Sequence, residues 1–423
     1  MISFLRACFL LLGLLLPLHG AITVFLEGPF RFWKELILVI LALIVLWQEI
    51  QSVRRKIWTN FSTPEWLCLW LLSWLEILIW LSDDRLTALL ASRYLSLGFV
   101  IYFVLSRLLR QQKEWFPVYF KDFAQGLFGG SLLSVCFGLW AKFGGGFEIL
   151  KSFYSETISS WVPGQTLPLY HQTGPFIRMQ GMSSGPGEFS HLLLLALFFV
   201  LFFPEFFSFS AKKKTNSCIQ ILLITIFTFG IIQSFSRAAI LVALGLIAWQ
   251  YWTATKHTAK QLWKPILMGL ICLVVFLGWH DELRTNFFAR LGSSDHITRP
   301  IEAFQQGLNN PWAGNLGSLG PAARSKNMVE HNDDKALISE NIFIDVFAQT
   351  GLIGLFIVLS FWYQLFRTIH PRHFPLLWGV ILLGSIATIF DMTPISLSFF
   401  TTLAFLTTLG KSRSHFPHQT KLL

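Results

Sequence analysis

Charge is scarce in this sequence: only 13% of its 423 residues are Asp, Glu, Lys or Arg, against about 25% in typical soluble domains. Apolar residues make up 53% and aromatic residues 16% of the chain, and the mean hydropathy is +0.56. This composition excludes a water-soluble enzyme, and the many aromatic side chains exclude an intrinsically disordered chain. The sequence is typical of a protein that folds within a lipid bilayer.

Cysteine is also rare, and the five cysteines are isolated within apolar runs. Their spacing matches neither a zinc ligand set nor a disulfide framework. The sequence therefore predicts no metal knuckle and no cystine-stabilised domain. The cysteines are Cys8, Cys68, Cys136, Cys218 and Cys272.

Apolar runs long enough to cross a membrane dominate the chain. A bilayer core of about 30 Å needs about 20 helical residues, and about twelve runs approach that length. The sequence therefore predicts an all-α polytopic membrane protein with about twelve transmembrane helices. The first run is interpreted as a retained span, because it lacks a small-residue cleavage site. The predicted spans are 4–26, 33–50, 65–82, 86–106, 118–141, 188–204, 217–234, 237–252, 263–280, 341–365, 374–391 and 395–410.

Basic residues collect in alternate connections between these runs, for example at 54–56 and 212–214. The positive-inside rule assigns such connections to the cytoplasm. The net charge of +10 is therefore interpreted as a topology signal, and no nucleic-acid partner is expected.

Two polar segments on the opposite, outer side are large enough to build a site. They are 142–187 and 281–340, and the second lies between the ninth and tenth predicted spans. Because the second is longer than most connections, it is expected to be functional, with a short helix from Pro300 to Asn309. The whole chain, 1–423, is predicted to form a single integral membrane domain.

Two charged residues lie within predicted spans, Glu76 in the third and Arg93 in the fourth. A charge at membrane depth costs a few kcal/mol and calls for a partner or a function. Two interpretations stay open: a structural ion pair between Glu76 and Arg93, or an Arg93 that faces a groove for lipid phosphate.

Two stretches beside predicted spans combine arginine with small or polar residues. Arg178 precedes the glycine- and serine-rich stretch 181–187, and a helix beginning near Glu188 would direct free amides towards an anion. Arg237 follows the short polar turn 233–236. The alternatives are a solvated arginine in a glycine-rich turn for Arg178 and a snorkelling side chain for Arg237.

The second outer segment ends at the tenth predicted span, where Glu340 precedes Asn341. Glu340 is placed either to cap the helix or to accept a proton. Asn341 and Asp345 are four residues apart and share one helix face.

At these residues the chain resembles the O-antigen ligase and Wzy polymerase superfamily of bacterial membrane glycan-transfer proteins. The resemblance covers nearly the whole chain and depends on the order of four motifs. These are the stretch 178–187, the Ser236–Ala239 turn, the Arg299 stretch that leads to Pro311, Gly314 and Gly317, and Glu340–Asn341 followed by Gly351–Gly354.

The resemblance implies a GT-C-like enzyme of the bacterial cytoplasmic (inner) membrane, with its site facing the periplasm or exterior. Such an enzyme transfers a glycan from an undecaprenyl-diphosphate carrier to an acceptor hydroxyl. No cofactor, metal or nucleotide sugar is expected. The implied partners are the lipid-linked donor, a glycan or lipid A–core acceptor, and membrane lipids.

Residue roles follow from the resemblance together with the chemistry. Arg178 and Arg237 are the candidates for a clamp on the diphosphate, with Arg299 as a third. Family ligases often have histidine where this chain has Glu340, so the general base is either Glu340, His331 or another residue. Arg299, Arg93, Asn341 and His331 are assigned to substrate binding.

Three other functions compete with the ligase. A Wzy-type polymerase would use a second lipid-linked glycan as acceptor, and an oligosaccharyltransferase-like enzyme would use a protein. A glycan flippase or transporter is disfavoured, because the sequence lacks paired, broken spans in two halves.

Overall fold

The computed structural model describes a predominantly helical chain. Every statement about structure below refers to the described residues. These are residues 1–25, 32–54, 60–144, 157–159, 166–168, 172–173, 176–183, 185–207, 213–255, 295–329, 339, 341–386 and 393–415.

The described ranges contain fourteen α-helices, and short 3-10 turns occur at Leu16–Leu18, Pro204–Phe207 and Pro371–His373. In chain order the helices are α1 (Ile2–Leu15), α2 (His19–Phe25), α3 (Trp33–Arg54), α4 (Thr63–Leu81), α5 (Arg85–Gln111), α6 (Phe116–Phe143), α7 (Pro186–Phe202), α8 (Lys213–Gln233), α9 (Arg237–Thr255), α10 (Asp295–Leu308), α11 (Gly320–Val329), α12 (Ile342–Thr368), α13 (Phe374–Ile386) and α14 (Thr393–His415).

Several helices begin at residues that satisfy the first backbone amides. Glu65 accepts a hydrogen bond from the Ser62 amide at the start of α4 (2.8 Å). Asp84 accepts one from the Thr87 amide at the start of α5 (3.1 Å). Such caps satisfy amides that have no partner within the helix. They explain why these apolar runs begin as helices where they do.

Four short strands lie in the segment before α7. Strand β1 (Thr157–Ser159) pairs antiparallel with β2 (Thr166–Pro168), and β3 (Gln172–Thr173) pairs antiparallel with β4 (Phe176–Ile177). In the described part of the chain, the protein is helical apart from these two small hairpins.

The core is centred on α7, in which nearly every residue is buried. A helix that is apolar on all sides lies inside a bundle, and α7 packs against α6, α8, α9 and α14. Stacked and edge-on rings fill the space between these helices. The Phe120 ring, for example, lies 5.5 Å from that of Phe199, 5.0 Å from that of Phe203 and 4.8 Å from that of Phe405.

Among the described residues, six stretches are long and apolar enough to cross a membrane, and three further apolar helices are shorter. The chain is therefore a polytopic membrane protein, but a count of twelve spans stays a prediction, and the predicted span 263–280 lies outside the described residues. The six are Ile2–Thr23, Trp33–Arg54, Thr63–Leu81, Arg85–Gln111, Phe116–Phe143 and Ile342–Thr368, and the three are Pro186–Phe202, Ile219–Gln233 and Pro394–Gly410.

The bundle has two ends. We call the end at which α6 and α8 end and α7 and α9 begin the site end, and the opposite end, at which α5 ends and α6 begins, the far end. Helix α5 ends at the far end, so its first turn, with Thr87, lies at the site end. Gly317 lies close to Thr87 and donates its amide to Gln349 near the start of α12 (3.3 Å). Helix α12 therefore also begins at the site end.

Candidate active site at one end of the bundle

The turn between α8 and α9 has a strained backbone. Phe235 has a φ of 54°, a conformation that is unusual for a bulky residue. The serines on either side hold the turn in place: Ser234 Oγ donates to the Ile231 carbonyl (2.6 Å) and accepts from the Ser236 amide (3.2 Å). The turn therefore presents Arg237, the first residue of α9, in a fixed place.

Arg178 and Lys142 meet this same turn. Arg178 Nε donates to the Ser234 carbonyl (2.8 Å). Lys142 Nζ donates to Gln233 Oε1 (2.6 Å) and lies 5.0 Å from the centre of the Phe235 ring. The structure thus brings Arg178, Arg237 and Lys142 to one turn. Such a cluster favours the binding of a multiply charged anion such as a diphosphate.

The backbone around Arg178 is held inside the bundle although it is not helical. The Met179 amide donates to the Gln233 carbonyl (2.9 Å), and the Met182 amide donates to Ser134 Oγ (2.9 Å). The Met182 carbonyl accepts from the Ala21 amide of α2 (3.0 Å). Irregular backbone at membrane depth is tolerated only where protein or water satisfies its polar groups. These bonds provide that satisfaction and fix the position of Arg178.

Helix α7 begins directly after this segment, as the sequence predicts, with Gly185 as its N-cap. Its first turn carries Glu188, whose side chain is buried and interacts electrostatically with Lys34. A carboxylate is favourable at this end of a helix. The positive end of α7 therefore has the Glu188 carboxylate beside it. The sequence pattern predicts a bound anion at this position.

Lys34 belongs to a polar cluster that was missed from the sequence. Its side chain is 2% exposed, and its ammonium lies 3.0 Å from His19 Nε2 and 3.9 Å from Glu35 Oε1. Glu35 Oε1 in turn accepts from Arg93 Nη2 (2.7 Å). With Glu188, this polar cluster joins α2, α3, α5 and α7 at the site end. The available signal was the Lys34–Glu35 pair at the edge of an otherwise apolar run.

The pairing of Arg93 with Glu76 was wrong. Arg93 pairs with Glu35, while Glu76 accepts from Trp80 Nε1 on its own helix (2.9 Å). Helix α4 buries the face that carries Leu71, Leu75 and Leu78, so Glu76 points away from the bundle. Sequence adjacency predicted neighbouring helices but not the face that each helix presents.

At the start of α12, Asn341 is the cap. Its Oδ1 accepts from the amides of Phe343 (3.0 Å) and Ile344 (3.1 Å). Ser339 Oγ lies 2.9 Å from the Asn341 carbonyl oxygen and 2.5 Å from Asp345 Oδ1. The cap role considered for Glu340 is therefore filled by its neighbour. Glu340 and His331 themselves lie outside the described residues.

Helix α12 is broken at Gly351, whose φ is 68° and ψ is −170°. The freed backbone groups find partners on the segment between α10 and α11. The Leu352 amide donates to the Pro311 carbonyl (2.8 Å), and the Ala348 carbonyl accepts from the Asn315 amide (2.8 Å). A Cβ on Gly314 would lie 2.6 Å from the Gly351 nitrogen, so glycine is needed for this approach. Two motifs that are distant in sequence therefore form one joint.

The candidate residues fall into separate groups. Arg178 and Arg237 share the α8–α9 turn, whereas Arg93 belongs to the Lys34 cluster. Arg299 lies in α10, which packs against α12, and Asn341 lies at the start of α12. Within the described ranges, no group of three His, Cys, Asp or Glu side chains is placed to hold a metal ion.

Residues 221–359 of the chain match the protein-family model described as O-antigen ligase. The match covers about a third of the chain, and it includes Arg237, Arg299, Glu340, Asn341 and Gly351. No curated protein matches the chain. The members of the matched family are enzymes that ligate or polymerise membrane glycans. The match confirms the resemblance of this chain to the O-antigen ligase and Wzy polymerase superfamily.

Proposed function

We propose that the protein transfers a glycan from an undecaprenyl-diphosphate carrier to an acceptor hydroxyl at the outer face of the bacterial cytoplasmic membrane. One observation carries the proposal: Arg178 and Arg237, far apart in sequence, meet at the strained turn between α8 and α9. The family match over the same turn supports it.

The proposed step breaks the bond between the anomeric carbon and the diphosphate oxygen, and it forms a bond from that carbon to the acceptor oxygen. Negative charge develops on the leaving diphosphate, and the acceptor hydroxyl loses its proton. Fixed guanidinium groups stabilise the developing charge without need of a metal ion. Because Arg178 is held through its Nε, the rest of its guanidinium fork is oriented in advance.

The charge distribution supports an outward-facing site. Arg54 ends α3, Lys213 begins α8 and Arg367 lies in the last turn of α12, all at the far end. The positive-inside rule assigns this end to the cytoplasm. The site end is then exterior, where a lipid-linked glycan would present its sugar after crossing the membrane.

The proton acceptor is proposed to be Glu340, with His331 as the alternative. Both belong to the stretch that joins α11 to α12, and both lie within the residues that the family model matches. Asn341 caps α12, so the cap does not require the carboxylate of Glu340. General-base help contributes about 10²–10⁴-fold to the rate. Glu340→Gln should therefore lose roughly that much turnover while the thermal midpoint stays close to that of the wild type.

The test is a transfer assay with purified protein in proteoliposomes that contain an undecaprenyl-diphosphate-linked glycan and lipid A–core. The ligase proposal expects the glycan on lipid A–core, loss of the product with Arg237→Ala, and an unchanged rate in EDTA. Longer lipid-linked glycan instead would indicate a polymerase. Movement of the donor between leaflets without any product would contradict the proposal and indicate a flippase.

The base assignment is tested in the same assay by comparing Glu340→Gln with His331→Ala. Near-normal turnover of Glu340→Gln together with an inactive His331→Ala would move the base to the histidine. If both variants keep their turnover, the base lies elsewhere.

A further inference from the structure

Helix α10 has three distinct faces. Small residues face α12: Ala303 is buried with Ala348, and a Cβ on Gly307 would lie 2.6 Å from the Phe347 ring. A second face is polar, and its members are Glu302, Gln305 and Asn309. A third face is apolar, and its members are Ile301, Phe304 and Leu308. At 3.6 residues per turn, the apolar and polar faces lie side by side around the helix, both turned away from the small-residue contact.

The apolar face of α10 is not covered by the described part of the protein. Ile301 is 51% exposed, Phe304 46% and Leu308 53%. Trp312, which follows the helix, is 67% exposed. A row of large apolar side chains in water is unfavourable, and such a patch marks a contact with another phase or molecule.

This apolar face continues the lipid-facing surface of α12. The Phe304 ring lies 5.3 Å from the Phe347 ring, and the Trp312 carbonyl lies against Gly351. Beyond Gly351, the exposed apolar side chains of α12 begin with Leu352 and include Phe356, which is 71% exposed. In a membrane-spanning helix, such residues contact acyl chains.

The depth of this surface can be obtained from helix geometry. At about 1.5 Å per residue, α12 rises about 24 Å between Gly351 and Arg367. With Arg367 at one boundary of a hydrocarbon core about 30 Å thick, Gly351 and Trp312 lie a few Å inside the other boundary. Interfacial helices bury their apolar face about 5–10 Å into this zone. Tryptophan is enriched at this level.

We propose that α10 and Trp312 form an interfacial anchor, lying in the headgroup region of the membrane with Ile301, Phe304, Leu308 and Trp312 in contact with lipid. This inference does not depend on the glycan-transfer reaction, only on insertion of α12. The anchor also bears on the candidate site, because the chain continues from Trp312 through α11 to His331 and Glu340, the candidate proton acceptors. The Lys326–Asp84 ion pair (3.0 Å) joins α11 to the start of α5. The segment is then fixed by lipid at α10 and by protein at α11.

The test uses the full-length protein in vesicles of phosphatidylethanolamine and phosphatidylglycerol. Benzoylphenylalanine is introduced at single positions and irradiated, and lipid adducts are detected by mass. Phe304, Leu308 and Trp312 are the test positions, with Gln305 and Asn309 as matched positions on the polar face. Phe356 of α12 is the positive control.

The proposal expects lipid adducts at the three test positions, at a yield comparable to that at Phe356, and at least several-fold less at Gln305 and Asn309. Equal yields on both faces, or adducts of the test positions with protein alone, would overturn it. Leu308→Glu should lower the adduct yield at Phe304, whereas Asn309→Glu should not. These readouts need no donor glycan, so a failure of the proposed reaction would leave them intact.

Discussion

The far end of the bundle and the α8–α9 turn at the site end hold their basic residues through different contacts. At the far end, Arg107 Nε donates to Glu49 Oε1 (2.8 Å), and Arg107 and Arg110 both pair with the buried Glu65. Gln111 adds a hydrogen bond to Glu49 (2.6 Å). At the site end, Arg178 Nε is held by the carbonyl of Ser234, and Lys142 is held by the side-chain amide of Gln233.

We infer that the charges at the far end stabilise the fold and that those at the α8–α9 turn act on the substrate. A carboxylate partner neutralises a guanidinium and joins helices, as Glu49 and Glu65 do for α3, α4 and α5. The bonds to the Ser234 carbonyl and the Gln233 side chain fix where Arg178 and Lys142 lie beside the turn, and cations held in place are what stabilisation of a developing anion requires. The network at the far end is therefore expected to govern stability, and the α8–α9 turn is expected to govern turnover.

The largest expected effect is on stability and comes from Arg107→Met. Removing one partner of a buried ionic group typically costs about 3–5 kcal/mol, and we expect the lower part of this range because Arg110 still pairs with Glu65 and Gln111 with Glu49. The thermal midpoint in detergent should fall accordingly, while turnover per folded molecule stays close to that of the wild type. Arg54→Met, which removes an exposed arginine at the same end, is the matched control. An equal shift for both variants would show that the network at the far end is not structural.

The second prediction concerns Arg178→Ala and Arg237→Ala. Removing one donor to a developing anion typically costs about 10²–10³-fold in turnover, so each variant should lose roughly this much with little change in its thermal midpoint. Lysine at position 237 should restore little, because an ammonium cannot form a bidentate fork. Arg85→Ala is the control, since Arg85 is an exposed arginine at the site end that lies over the Trp80 ring. Full activity of Arg237→Ala would make Arg237 a snorkelling residue.

Hydropathy was sufficient to predict most of the helices, because an apolar run in lipid must pair its backbone N–H and C=O groups with one another, as a helix does. It could not predict the faces that those helices present. Glu76 illustrates this: its residue type and depth suggested a partner on α5, but the buried leucine face of α4 turns it away. Lys34 illustrates the reverse, since a charge at the edge of a run is buried among groups from three other helices.

Arg178 and Arg237 could be chosen as candidates from the sequence, because each stands beside a short polar stretch between apolar runs, and the structure brings both to one turn. Lys142 was not identified, because a single lysine at the end of α6 gives no local signal. The contact of the Pro311–Gly317 segment with Gly351 could also not be predicted from the sequence. Both of its motifs were noted, but their contact depends on tertiary packing around a break in α12 that the sequence pattern does not show.

The third prediction tests this joint through Gly351→Ala. The backbone at Gly351 lies in a region that is nearly exclusive to glycine, which costs other residues about 1–3 kcal/mol. A Cβ would also overlap the Trp312 carbonyl oxygen. Stability should fall, and the turnover of the folded fraction should fall as well, because the segment that leads to Glu340 loses its contact with α12. Gly245→Ala is the control, since a Cβ there meets nothing within 4 Å. Unchanged turnover in Gly351→Ala would show that the contact between Trp312 and Gly351 does not influence the candidate site.

The smallest expected effect is a pH dependence at Asp84, which caps α5 and pairs with Lys326. Hydrogen bonds from the Thr87 amide and hydroxyl, followed by the bond from Lys326, lower the pKa of Asp84 to about 2. The ordinary aspartate pKa is about 3.9. A carboxyl whose pKa is lowered on folding stabilises the protein above its unfolded-state pKa, and this contribution is lost as the pH falls through its folded-state pKa. The relevant window therefore extends from about pH 4 down to about pH 2.

Asp84→Asn keeps a good helix cap but removes this titration. The difference in thermal midpoint between the wild type and Asp84→Asn should be constant above about pH 5 and shrink as the pH falls through that window. Because the ion pair with Lys326 is partly exposed, it should contribute no more than about 1 kcal/mol. Lys326→Met should therefore remove only part of the difference, with the Thr87 bonds accounting for the rest. Parallel pH profiles of wild type and Asp84→Asn would show that this contact at the site end carries no charge-dependent stability.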